Sequence, residues 1–137
     1  MATDDNKAVA RRVLEEIFPA NDVAALRDVI SDQFVNHEAP PGTPPGLGGI
    51  TMFMHMLNEA FTDQRWEIHD VLAEGDKVVI HCTHRGVHTG DFRYFGLPAT
   101  GRRFAYKQMH IIRIVDGKGV EHWAVRDDAS LIRQLTV

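Results

Sequence analysis

The chain has 137 residues, 44% of them hydrophobic, and a net charge of -4. That is enough for one real core and one domain, residues 1–137. The acidic balance excludes nonspecific nucleic-acid binding, which needs a basic face against phosphates, and docking on an anionic membrane surface. No apolar run reaches the length of a membrane span, and the opening Met1–Arg12 lacks the apolar core of a signal peptide; with Cys82 as the one cysteine, these features predict a cytoplasmic protein.

The first third reads as helix. Val9, Val13, Leu14, Ile17 and Phe18 recur at helical spacing. Asp4 or Asp5 can cap the start, and Pro19 is expected to end the helix. Asp22 can cap a second, shorter helix through Ala25, Leu26 and Val29. Phe34–His37 follow, then a stretch from Glu38 to Gly46 holding four prolines. Prolines at that density exclude both helix and central strand, so this is a stiff loop, either part of a cavity mouth or a rigid connection. A further helix carries Ile50, Phe53, Met54, Leu57, Ala60 and Phe61. After Thr62 the pattern changes to strands at 66–73, 77–88, 102–115 and 120–126. An irregular connection spans 90–101, and a short tail spans 130–135. Helices first and antiparallel strands afterwards predict an α+β fold with the helices on one face of a curved sheet.

Strand side chains alternate between faces. On the strand at 102–115, Phe104, Tyr106, Gln108, His110, Ile112 and Ile114 form an uncharged face that should meet the helices. Lys107 and Arg113 mark the opposite face for solvent or a partner subunit. Gln108 and His110 are then polar groups in an apolar wall, costly unless hydrogen-bonded. On the return strand His122, Ala124 and Arg126 share a face. A two-residue loop at Asp116-Gly117 would set even-numbered residues against odd ones. A three-residue loop, Asp116 to Lys118, would set His110 opposite Ala124 and bring His122 to the same wall. Gly119 suits the bulge that accompanies such loops, so the three-residue arrangement is expected.

The remaining candidates favour structure over chemistry. Cys82 reads as a small buried strand residue, and Met52, Met54 and Met56 as core filling. His84 and His88 share a strand face but stand too far apart to chelate one ion easily. With no H-E-x-x-H and no cysteine cluster, no metal is expected. The pocket is therefore assigned His110 and His122 as catalytic candidates, with Gln108, Tyr106 and Phe104 as substrate-binding candidates, to which the resemblance below adds Asn36. A histidine titrates near working pH and can serve as a general base, while amides hold substrate oxygens.

These residues resemble the SnoaL-like polyketide cyclases, of the cone-shaped superfamily named after nuclear transport factor 2. The resemblance runs from Phe34-Val35-Asn36 through Arg85-Gly86 and Leu97-Pro98 to Leu131–Leu135. Its most specific stretch is Arg103-Phe104, Gln108, His110 and Arg113–Lys118. It implies three helices on a strongly bent antiparallel sheet, a ligand inside the cone, and an intramolecular aldol ring closure of an aromatic polyketide ester without metal or cofactor. Asn36, Gln108, His110 and His122 match the family's polar lining. The family's proton-abstracting acid lies two residues after the histidine matched by His122, where this chain has Ala124. The resemblance thus implies a cofactor-independent enzyme on a polycyclic or polyketide-like substrate, with hydroxylation, hydrolysis or isomerisation as alternatives to ring closure. A carrier of a small apolar or aromatic ligand is the non-catalytic alternative. Dimerisation through the sheet, common among cone-fold proteins, predicts a homodimer.

Overall fold

A computed structural model describes residues 2–136. Helix α1 (Ala2–Arg12) continues through a π-helical turn (Val13–Ile17) into a short α2 (Phe18–Ala20). Asp4 and Asp5 lie inside the first turn of α1, where they favour the positive end of the helix dipole rather than capping it. Pro19 does not stop the helix. The turn before it has already widened, with the Phe18 N–H donating to Val13, and the chain leaves the helix at Asn21 in left-handed conformation. Asp22 caps α3 (Val23–Val29), accepting from the Ala25 N–H at 3.0 Å.

The next element was not expected from the sequence: Ile30–Asn36 forms an edge strand, β1. It pairs parallel to the last strand, with Asn36 opposite His122. After the proline-rich loop, α4 (Gly46–Ala60) leads directly into β2 (Phe61–Glu74), so Phe61 opens a strand instead of closing a helix. The remaining strands are β3 (Lys77–His88), β4 (Arg103–Val115) and β5 (Lys118–Arg126), followed by α5 (Asp128–Thr136). The sheet order is β1-β5-β4-β3-β2, antiparallel except for β1 with β5. On β4 every even-numbered residue from Phe104 to Ile114 is buried. This is the α+β architecture expected, with helices against the concave face. Among the described residues no helix is long and apolar enough to cross a membrane.

The hairpin reaches the expected register by another route. Val115 pairs with Lys118, leaving a two-residue loop, Asp116-Gly117, with both φ angles positive. Alone, that loop would place His122 on the wrong face. The pairing then shifts: Ile114 faces Gly119, but Arg113 faces Glu121, so Val120 is an extra residue. Below this bulge His110 faces Ala124, and His122 joins the concave wall. Gly119 is needed for closeness, since a Cβ there would stand 3.0 Å from the side-chain ends of both Ile112 and Ile30.

Candidate functional site

The helices and the concave sheet face enclose a partly open cavity of about 70 Å3. Its wall on β4 carries Tyr106, Gln108 and His110; β5 contributes His122 and β1 contributes Asn36. Phe104 shares their strand face but does not line the cavity. Its ring packs at 4.5 Å from that of Phe61 and against His84. The proline-rich loop is also absent from the lining. Phe53 of α4 and Phe92, Tyr94 and Phe95 of the irregular connection line the cavity instead, as a cluster of aromatic rings.

Four of the expected residues form one hydrogen-bonded chain. Gln108 Oε1 lies 2.7 Å from His110 Nε2, His110 Nδ1 lies 2.9 Å from His122 Nε2, and His122 Nδ1 lies 2.7 Å from Asn36 Oδ1. Both ends of the chain are fixed as acceptors. The Trp66 indole N–H donates to Gln108 Oε1 at 3.2 Å, and the Glu38 backbone N–H donates to Asn36 Oδ1 at 3.1 Å. Turning either amide over would set donor against donor. His110 Nε2 and His122 Nδ1 must therefore carry hydrogens. In two neutral imidazoles no hydrogen then remains for the central contact, and two lone pairs face each other at 2.9 Å. One added proton, shared between the rings, completes all three bonds.

The surroundings oppose that proton. Burial, and then the positive charge of Arg126, hold His110 well below the usual histidine range, with His122 and His84 adding smaller pushes. The same two causes, with a further push from His37, lower His122 to about 3. Both rings are thus held toward the neutral form, in which their central contact lacks a hydrogen. A group in this position has a built place for a proton and is kept from filling it.

Arg126 and Asp128 were missed as lining residues. Alternation sets Arg126 on the face of His122 and Ala124, opposite Gln108. Asp128 continues the same parity beyond the end of β5. Burial raises its carboxyl above the ordinary value despite the nearby Arg126. The neighbouring carboxylate, Asp127, is an exposed helix cap: its Oδ1 accepts from the Ser130 N–H at 3.1 Å. Ala124 faces His110 across the sheet, with no side chain able to move a proton.

Among the described residues no other histidine lines the cavity. His84 is fully buried and stacks on Trp66 at 4.0 Å between centroids. It bonds to Tyr106 and Gln64, and burial lowers it to about 3. His55 meets Asn21 at the surface. Cys82 is buried, and burial pushes its thiol up to about 12, which leaves it protonated. Among the described residues no group of three or more His, Cys, Asp or Glu side chains is placed to hold a metal ion.

Comparison with known proteins agrees with this geometry. A family model described as SnoaL-like polyketide cyclase matches residues 8–135. The chain is 46% identical over 95 residues to the nogalonic acid methyl ester cyclase of Streptomyces nogalater, covering 69% of each protein. It is 50% identical over 50 residues to the aklanonic acid methyl ester cyclase DnrD of Streptomyces peucetius, a match spanning 36% of this chain and only 33% of that relative. The solved structure of TsrD from Streptomyces laurentii superposes with a TM-score of 0.87 at 26% identity, covering 97% of this chain and 96% of that one. The match over residues 8–135, together with the shared fold, places this chain in the SnoaL-like polyketide cyclase family.

Proposed function

We propose that this chain is a cofactor-independent acid–base enzyme on a polyketide-like substrate, with His110 and His122 acting as one proton-handling pair. The observation that carries the reading is the hydrogen-bond chain from Gln108 to Asn36, whose central contact lacks one hydrogen. A substrate C–H flanked by two carbonyls would give its proton to the pair and leave its electron pair as an enolate. The enolate carbon would attack a second carbonyl carbon of the same substrate, forming the C–C bond. The carbonyl oxygen would then take the proton back from the pair, so that the ring closure consumes no other reagent. The Asn36 amide NH2 is the donor positioned for a ligand oxygen, and Tyr106 contributes apolar wall.

The same wiring supports a second reading. Every nitrogen of the two rings already has a protein partner, and Ala124 supplies no carboxylate. A carrier for an apolar aromatic ligand would look the same. Ring closure of nogalonic acid methyl ester separates the two. The enzyme reading expects product with the native chain and a loss of about 100-fold or more in His122→Ala and His110→Ala. Binding of that ester without turnover would support the carrier.

Residues 1–137 are read as one domain, with the lone buried Cys82 suited to the cytoplasm. The outer sheet face exposes Leu72, Met109, Ile111 and Val125 beside charged residues, which supports a homodimer built on that face.

A further inference from the structure

Arg126 has no role in the chemistry above, and its position is unusual. It lines the cavity, directly opposite Gln108 across the sheet and on the same face as His110 and His122. Its guanidinium lies 5.6 Å from the centre of the Phe53 ring. Among the described residues it makes no ion pair and no side-chain hydrogen bond, and no other Lys or Arg lines the cavity. Arg113, on the opposite face, shows the usual arrangement: it pairs with Glu121 at 3.1 Å and with Asp76 at 3.3 Å. Before any proton moves, the charge of Arg126 works against the base. It is the second cause, after burial, of the lowered basicity of both His110 and His122. A weaker base takes a C–H proton less readily. A cation set beside a base therefore helps only if negative charge develops nearer to the cation than the positive charge left on the base.

We propose that Arg126 is the oxyanion donor of this cavity, holding a carbonyl oxygen of the neutral polyketide ester and stabilising the enolate that forms when the His110–His122 pair takes the adjacent C–H proton. This rests on the reading of the chain as an acid–base enzyme. As the proton leaves, the electron pair of the C–H bond becomes part of a C=C bond, and the carbonyl oxygen takes the negative charge. The guanidinium offers that oxygen charge-assisted hydrogen bonds, which are stronger than those to the neutral carbonyl before it. When the enolate carbon attacks the second carbonyl, the charge leaves the first oxygen and the C=O bond is restored. The placement brackets the base with donors. Asn36 stands opposite His122 at one end of the hydrogen-bonded chain, and Arg126 stands opposite Gln108 at the other.

The test is steady-state ring closure of nogalonic acid methyl ester by the native chain, Arg126→Gln and Arg126→Lys, with the fold of each variant checked by near-ultraviolet circular dichroism. Neither substitution removes a side-chain bond of the fold. Arg126→Gln should lower kcat by about 100-fold or more, the cost of losing one oxyanion donor. KM should stay within about threefold, because the neutral ester gains little from the charge until the proton moves. Arg126→Lys keeps the charge without the planar fork, and its kcat should lie between the other two. The direction of the change is what discriminates. Without Arg126 the histidine pair loses a source of repulsion and becomes the stronger base, so an Arg126 that touched no substrate oxygen would leave Arg126→Gln as fast as the native chain or faster. Ring closure by Arg126→Gln at or above the native kcat, or a raised KM at unchanged kcat, overturns the oxyanion role and leaves the acid–base reading standing. No ring closure by the native chain overturns both.

Discussion

Acidification should unfold this protein through its buried histidines, and His84 gives the clearest case. It is fully buried, stacked on Trp66, and held to about 3 by burial first and Arg126 second, against 6.5 for the free side chain. Between those values the unfolded chain binds a proton that the folded chain refuses. Stability is therefore untouched above about pH 6.5, begins to fall as the pH drops through that value, and keeps falling toward pH 3. Each pH unit corresponds to about 1.4 kcal/mol for one such group, so by pH 4.5 His84 alone removes on the order of 2–3 kcal/mol. That is a large share of the roughly 5–15 kcal/mol that stabilises an ordinary domain. Urea unfolding at half-unit steps from pH 7.5 to 4.5 measures it, with His84→Gln as the control. Glutamine can still reach Tyr106 and Gln64 but cannot titrate. The native chain should lose about 1.4 kcal/mol per pH unit more than the variant below pH 6. Parallel curves for the two proteins would refute the reasoning, whatever the variant's stability at pH 7.

Trp66→Phe removes the indole N–H that fixes Gln108. The amide can then turn and donate to His110, and two-bond nitrogen–proton spectra should show His110 Nε2 changing from a protonated to an unprotonated nitrogen; no change would mean that Trp66 does not set the wiring. Ala124→Asp restores a carboxylate between His122 and Arg126 along β5, so it should raise the His122 pKa in an NMR titration and increase ring-closure rates on a polyketide methyl ester. A fall in the His122 pKa would contradict the placement of residue 124 on the same sheet face as His122. Gly119→Ala forces a methyl group to within 3.0 Å of Ile112 and Ile30. It should cost about 1–3 kcal/mol in urea unfolding, and a neutral effect would show that the Val120 bulge relaxes freely.

The concave wall was legible because β4 alternates strictly. Six apolar or uncharged side chains on one face, with Lys107 and Arg113 on the other, leave little choice of orientation. His122 was placed correctly for a partly wrong reason. The sequence indicates Asp116-Gly117 as a turn and Gly119 as irregular, and a three-residue loop or a two-residue loop with a bulge at Val120 restores the same parity. β1 was not legible. Its burial does not alternate, and its hydrogen bonds come from β5, more than eighty residues away, as in the contact of Asn36 with His122. No local pattern encodes that pairing. The aromatic part of the lining escaped notice because Phe92, Tyr94 and Phe95 lie in an irregular segment, where no periodicity says which way a side chain points. Alternation put Arg126 on the face of His122, but the end of a strand gives no signal for whether its long side chain reaches into the cavity.

The central claim is that proton transfer in this cavity belongs to the His110–His122 pair, with no carboxylate at position 124. It is tested most directly by following, in D2O by NMR, deuterium exchange at the C–H between two carbonyls of a bound polyketide ester. The native chain should catalyse this exchange. His110→Ala and His122→Ala should each suppress it by about 100-fold or more, and Asp128→Asn should leave it nearly intact. Exchange that survives removal of both histidines, or is lost only when Asp128 is replaced, would contradict the account.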